Sequence, residues 1–291
     1  MERGHQQAIA PANLRADPAA TARRRKAVKA YMDEHVLGPG GFCCALFAAC
    51  RDSTRDDDRF FEGQLSHVGH HYDLHLDGRP LRVVVVGQEN GAPRPGIDPS
   101  RISLAERYRR VHDGSGLERR YYADGTHRAR NPHMRGTTSA LRVIFGEAPG
   151  SEWEKEFLES AGGERFHLFD AFSLVNVLLC SNFPAKKNTG ASTKTMRRNC
   201  LRHFSATMQI LEPTLMVLQG EGVQDWIAPV LGLMDERAPH LAETQLAGNR
   251  VLVCRFSHPA ARRDLSWGNR LDAPYLREVV EPTLRLAISL L

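Results

Sequence analysis

The sequence predicts an α/β protein, a three-layer α/β/α domain around a mainly parallel central sheet. Three observations carry that expectation. Apolar runs without polar alternation (RVVVV, FSLVNVLLC, LMVLQ, RVLVCRF) read as strands buried on both faces. Stretches with helical spacing separate them, and strands alternating with helices ask for parallel pairing through crossovers. Finally, 291 residues, 42% hydrophobic and 25% charged, suffice for one large domain.

Taken in order, residues 1–36 are rich in Ala, Arg and Gln and contain RRRK at 23–26. They are expected as a mobile basic tail running into a helix (AATARRRKAVKAYMDEHV), ahead of a single domain over 37–291. YDLHLDGRPLRVVVV reads as a hairpin about Asp77-Gly78. Residues 92–135, rich in Pro, Gly, Arg and His, are expected as a long loop with a short helix near Leu104–Val111. TTSALRVIF and SEWEKEFLESAGG have helical spacing, the second opening on a Ser151/Glu154 capping box. FHLFDAFSLVNVLLC predicts a buried strand, and TMRRNCLRHFSATMQILE a helix stopped by Pro213. PTLMVLQG and NRVLVCRFSHP follow as strands, and Ala273–Leu291 as a closing helix.

The net charge of +5 and pI near 9.0 permit a polyanionic partner without requiring one. No apolar run approaches the ~18–20 residues of a membrane span, and no signal peptide is visible. A cytoplasmic protein, monomeric and without a membrane partner, is expected. Six cysteines in that compartment read as metal ligands, catalytic thiols or buried hydrophobes sooner than disulfides. Neither a Walker loop nor a G-x-S-x-G elbow is present, which disfavours nucleotide- and ester-hydrolysing classes.

Sites in parallel sheets lie at the carboxyl ends of the strands. There the sequence offers GQENG (87–91), Asn176 in SLVNVLLC, and His258 in FSHPAARRD. A carboxylate, an amide and an imidazole, each closing a buried strand, suit one pocket. This order resembles the uracil-DNA glycosylase superfamily over roughly residues 40–275, with literal identity confined to the short motifs. GEAPG (146–150) is the string its iron–sulfur branch carries in the active-site loop. Cysteine spacing nevertheless favours GQENG, since Cys43, Cys44 and Cys50 precede Gly87 by roughly forty residues. GEAPG is then expected to be a helix-terminating turn.

The resemblance implies a DNA glycosylase that hydrolyses the N-glycosidic bond of a flipped-out uracil or modified pyrimidine and leaves an abasic site. Its alternatives are a phage-defence enzyme excising bulky modified cytosine, such as glucosylated hydroxymethylcytosine, and a non-catalytic DNA-binding member of the fold. Glu89 is implied as the carboxylate that positions water, and His258 as the group stabilising the departing base. Gln88, Asn90, Gly91, Met134 and Asn176 are implied around the base, with Met134 in the slot of a stacking aromatic. DNA contacts are assigned to Lys186, Lys187, Lys194, Arg197, Arg198, Arg262 and Arg263, and a wedge to Leu265. A structural [4Fe–4S] cluster is implied on Cys44, Cys50, Cys180 and Cys200, with Cys43 the alternative to Cys44. The spacing departs from the family pattern, C-x5-C or C-x6-C in front and twenty residues between the trailing pair. Cys254, inside an apolar strand, reads as core.

Overall fold

The computed structural model describes residues 8–62, 66–89, 130–184 and 190–291. Among the described residues the helices are α1 (Pro18–His35), α2 (Phe47–Asp52), α3 (Pro132–Ile144), α4 (Lys194–Leu211), α5 (Glu221–Leu231) and α6 (Glu281–Leu290). A seven-stranded sheet organises them. Its strands are β1 (His67–Val68), β2 (Val83–Gly87), β3 (Phe172–Asn176), β4 (Leu215–Gln219), β5 (Asp235–Ala238), β6 (Leu241–Leu246) and β7 (Asn249–Phe256). Across the sheet the order is β5-β6-β7-β4-β2-β3-β1. The inner strands β7, β4, β2 and β3 run parallel, while β1 on one side and β6 and β5 on the other pair antiparallel. The sheet is therefore mixed, not mainly parallel as expected.

The four valines of β2 explain why its sequence does not alternate. Successive strand side chains point to opposite faces, and both faces are covered. Val83 and Val85 join one core cluster with Leu141 and Ile144 of α3 and Leu284 of α6. Val84 and Val86 join another with Met32 of α1, Phe204 and Met208 of α4 and Ile227 of α5. All four are 0% exposed, each burial being worth about 1.5–3 kcal/mol. The chain leaves β2 for β3 through α3 on one face and returns to β4 through α4 on the other. Strand order thus reverses at β2, and the crevice of such a sheet opens at its carboxyl end.

Local signals set the helix ends. Asn131 caps α3 by accepting from Met134 N (2.9 Å), with Pro132 in the first turn. Thr193 caps α4 through Met196 N (3.1 Å). At the far end of α4, Glu212 adopts φ 45 just before Pro213, which cannot continue the helix. The GEAPG string ends α3 as expected. Gly146 takes φ +93, its N–H bonds Val143 O (3.0 Å), and Glu147 N bonds Arg142 O (2.9 Å), a Schellman closure.

Several expectations need correction. SEWEKEFLESAGG is not a helix. Trp153–Glu156 is a single 3-10 turn and Phe157–Glu159 is a strand paired with Arg165–His167. The capping-box pattern loses to tertiary demands. Glu156 is drawn inside to Arg130 and His167, and the Arg165 guanidinium lies 4.5 Å over the Phe157 ring. FHLFDAFSLVNVLLC is likewise several pieces, Arg165–His167, a 3-10 turn at Leu168–Asp170, β3, and a strand Cys180–Phe183 paired with Arg59–Glu62. The Asp77-Gly78 hairpin exists, with φ 51 and 80 at its turn, but its second arm is Arg79–Leu81. The valines belong to the main sheet. The N-terminal segment is packed from its first described residues. Ile9 and Leu14 are buried, Arg15–Ala16 pairs with Leu74–His75, and Arg24 bridges Asp73 (2.9 Å) and Glu212 (2.7 Å). The short helix expected near Leu104–Val111 lies outside the described residues.

Candidate functional site

The register of the parallel strands lines up their carboxyl ends. Asn176 pairs with Gly87, and Gln219 with Phe256. Pairing continues beyond β3, with Val177 N on Gly87 O (3.0 Å) and Leu178 N on Gln88 O (2.9 Å). These bonds pin the start of GQENG against the end of β3. A β-carbon at Gly87 would meet Asn176 Oδ1 at 2.8 Å and His133 Nε2 at 3.1 Å. Glycine at this position lets the amide and the imidazole pack directly against the backbone at the end of β2.

A second imidazole enters from the turn after β7. Trp267 Nε1 donates to Ser257 O (2.7 Å) and Ser257 Oγ donates to Leu265 O (2.6 Å), which fixes the loop carrying His258 and Pro259. Ala260 N donates to His258 Nδ1 (3.1 Å), so the ring proton resides on Nε2, where it can be donated to a ligand. The His133 and His258 rings lie 6.0 Å apart. Burial holds His258 below the ordinary histidine range. Burial and then the neighbouring His258 bring His133 down to about 3. The first turn of α3, with its positive dipole end, favours the same neutral form. Both rings are uncharged hydrogen-bonding groups at neutral pH.

Glu89 follows two residues after Gly87. Burial pushes its carboxyl up to about 7, opposed by Arg197. Oε2 is buried and has no hydrogen-bond partner among the described residues. Gly190 packs against this carboxyl so closely that a β-carbon there would overlap Oε1. Gln88 lies against Gly220 and Gly222 at the start of α5, its Nε2 3.7 Å and 3.6 Å from β-carbons built at those positions.

The base slot needs one correction. Met134 is 2% exposed and belongs to the core cluster beneath α3, so it cannot face a ligand. Its neighbour His133 presents the ring instead. Asn90, Gly91, Lys186 and Lys187 lie outside the described residues. Lys194 and Arg198 are exposed on the first turns of α4. Arg197 is half-buried, its guanidinium 4.7 Å over the Trp226 ring and bonded to Thr193 O and Ser192 O. It is a neighbour of Glu89 more than a free cation. Arg262 and Arg263 are exposed beside the His258 turn, and Leu265 is 45% exposed there.

Sequence reasoning missed three residues. His133 sits one place from the assigned Met134, and the Asn131-Pro132 cap would have placed it in the first turn of α3. Gln219 is 0% exposed at the end of β4, donates to Thr137 Oγ1 (3.0 Å), and leaves Oε1 without a partner among the described residues. A polar residue ending an apolar run was the signal, the same one that selected Asn176. Gly190 had no such signal.

The cysteines form a second locality. Cys44 and Cys50 come from α2 and the turn before it, Cys200 from α4, and Cys180 from the strand Cys180–Phe183. The Cys50 thiol is held high by burial and also feels Cys44. Burial pushes Cys200 up to about 11; its sulfur accepts from the Leu179 and Cys180 amides and feels Cys50 and Cys44. Asn199 Nδ2 donates to Cys50 Sγ (3.4 Å). His203 Nε2 (3.4 Å) and Arg202 Nη2 (3.7 Å) reach Cys44 Sγ, and Arg202 Nε also reaches His203 Nε2 (3.3 Å). Cys43 points elsewhere, to the carbonyls of Asp33 (3.5 Å) and Glu34 (3.6 Å). Cys254 is 0% exposed in β7.

Among the described residues no group of three or more His, Cys, Asp or Glu side chains could hold a single metal ion. A cubane cluster spreads its sulfur ligands over its corners, farther apart than one ion requires. Neutral thiols are weak acceptors, so N–H donors aimed at three of these sulfurs suit thiolates, the form in which cysteine ligates iron.

No protein-family model matches this chain, and no curated protein matches it. No described helix is long and apolar enough to cross a membrane.

Proposed function

We propose that this protein is a monomeric DNA glycosylase with the three-layer α/β/α arrangement of the uracil-DNA glycosylase superfamily. The observation that supports it is that Glu89, Asn176 and His258 follow the carboxyl ends of parallel strands of one sheet, with Asn176 and His133 packed against Gly87. Departure of a base leaves positive charge on the sugar and negative charge on the base. Ionised Glu89 positions the attacking water and stabilises the sugar cation. His258 donates its Nε2 proton as a hydrogen bond to the base oxygen that gains charge.

The Asn176 amide carries both a donor and an acceptor for the base edge. His133 presents a flat, neutral ring beside it. The target nucleotide must leave the stack to reach these strand ends, and the exposed Leu265 would fill the space it vacates. Lys194, Arg198, Arg262 and Arg263, with Lys186 and Lys187, supply sequence-independent phosphate contacts. Cys44, Cys50, Cys180 and Cys200 would hold a [4Fe–4S] cluster, whose contribution is structural, joining α2 to α4 and to the strand Cys180–Phe183.

Uracil and modified cytosine both fit this chemistry. Met134, being in the core, does not decide between them. Mass spectrometry of the bases released from uracil-containing, thymine-mismatched and phage-modified DNA decides among them. Intact binding with no base released from any of the three would point to a non-catalytic DNA-binding protein.

A further inference from the structure

Gln219 is fully buried where β4 ends, and one end of its amide, Oε1, has no partner among the described residues. Asn176 pairs with Gly87 and Leu218 with Val86, so Gln219 follows in the row on the other side of Gly87. Leu215 and Val217 pack in the cluster under α3, and strand alternation turns Gln219 the same way. Its Nε2 donates to Thr137 Oγ1 (3.0 Å), and Thr137 Oγ1 donates to His133 O (3.1 Å). The hydroxyl accepts the first bond on a lone pair and uses its single proton in the second. Two hydrogen bonds in series therefore run from the end of β4 to the first turn of α3.

The same turn rests on the loop that carries His258. Arg135 Nε donates to Gly268 O (2.6 Å). A β-carbon at Gly136 would meet Pro259 Cβ at 2.9 Å and Trp267 Cζ3 at 3.0 Å, so only glycine lets helix and loop close this far. The His133 and His258 rings, 6.0 Å apart, are thus carried by two segments docked on each other, and β4 holds one of them.

A buried amide with an unpaired oxygen is a poor choice for stability alone. Methionine, of similar length, would bring no such atom. We propose that Gln219 is a positioning residue, which through Thr137 fixes the first turn of α3 and so sets His133 against Asn176 and His258. This rests on the proposed function for what His133 does, whereas the chain of bonds that holds His133 can be tested without DNA.

The experiment compares Gln219→Met, Thr137→Val and Thr137→Ser in the full chain. It reads melting temperature, NMR of labelled histidine rings without DNA, and single-turnover base release, with the His133 signals identified by their absence in His133→Ala. Gln219→Met is expected to melt at or above the wild-type temperature and yet to move the His133 signals. Its release should slow about tenfold, less than the ~10²-fold that a displacement of about 1 Å costs. Thr137→Val should move the same signals, and it carries the test if Gln219→Met misfolds. Thr137→Ser, which keeps the hydroxyl, should recover most of both effects. Added to His133→Ala, Gln219→Met should slow release no further. Unmoved His133 signals in both Gln219→Met and Thr137→Val would overturn the proposal. So would a rate loss that follows a lower melting temperature without rescue by serine, or one that adds in full to that of His133→Ala. Wild-type protein that releases no base while the ring signals move as expected would overturn the glycosylase reading and leave the positioning of His133 standing.

Discussion

The backbone of Gly190 closes over the carboxyl of Glu89, and a β-carbon at Gly190 would overlap Oε1. The contact joins the segment before α4 to the loop after β2 and leaves the carboxyl no freedom to move toward it. Gly190→Ala must displace either the loop or Glu89. A misplacement of about 1 Å at a reacting group costs on the order of 10²-fold in rate. Single-turnover excision by Gly190→Ala is therefore expected to fall about 10²-fold with DNA affinity nearly unchanged. A wild-type rate would show that the carboxyl position is unimportant.

Glu89→Gln tests the carboxylate itself. It should bind DNA and nearly abolish excision. The wild-type carboxyl is raised to about 7 by burial, and the active form is ionised, so kcat/KM should rise with pH through about 7 and level off above. Stability runs the other way. A carboxyl with a raised folded pKa binds more protons when folded, so its contribution is fully present below its unfolded value and is lost as pH rises through about 7. Glu89→Gln escapes that loss. Its melting temperature should gain on the wild type as pH rises, and a constant difference from acid to alkaline pH would contradict the assigned shift.

Much of this was legible because burial on both faces leaves a plain mark. The valines of β2 and the run in β4 name strands without ambiguity, and the residues that follow apolar runs, Asn176 and His258, do fall at the carboxyl ends of strands where a candidate site is sought. Glu154 shows the limit. Its spacing from Ser151 promises a helix cap, but the demand came from Arg130, a residue distant in sequence that draws Glu156 inside. Met134 failed for a related reason. Adjacent residues on a helix point about 100° apart, so a slot located only to within a residue cannot say which side chain faces the ligand. Gly190 was invisible because close approach between loops has no periodicity.

Glu147 serves as the control for the choice between two similar loops. It lies in the Schellman closure of α3 and pairs with Lys155 Nζ (2.7 Å) on the protein surface. Such pairs contribute about 0–1 kcal/mol. Glu147→Gln is expected to leave excision unchanged and to lower stability by no more than that. An inactive Glu147→Gln alongside an active Glu89→Gln would transfer the site to GEAPG.

Arg130 and Glu156 form an ion pair with both side chains 1% exposed, joined by Thr138 and His167. Burial alone would raise the Glu156 carboxyl, but hydrogen bonds from His167 and Arg130 prevail and hold it below the ordinary range. Its stabilising contribution is thus present above the unfolded carboxylate pKa and lost as pH falls through the lower folded value. Arg130→Met strands a buried carboxylate and should cost about 3–5 kcal/mol. Denaturant unfolding should show the deficit largest near neutral pH and smaller in acid, where Glu156 is protonated in the variant. A deficit independent of pH would mean that packing, not charge, is what Arg130 supplies.

Asn176 packs against the backbone of Gly87, with Oδ1 2.8 Å from where a β-carbon would be. Its amide can turn either edge toward a base, so the native residue accommodates uracil in one orientation and cytosine in the other. A carboxylate removes the donor and leaves only acceptors. Asn176→Asp should therefore favour a base edge that donates, such as the exocyclic amine of cytosine, and penalise uracil. A buried polar atom without its partner costs about 1–3 kcal/mol, which corresponds to roughly 5- to 150-fold in rate for the disfavoured base. If uracil is the natural substrate, its release should fall within or beyond that range while some cytosine release emerges. If a modified cytosine is natural, the loss for that base should be smaller. Comparing released bases by mass spectrometry, together with binding to an uncleavable duplex, separates the two cases. Equal loss for every base with binding also lost would make Asn176 a structural residue at the end of β3.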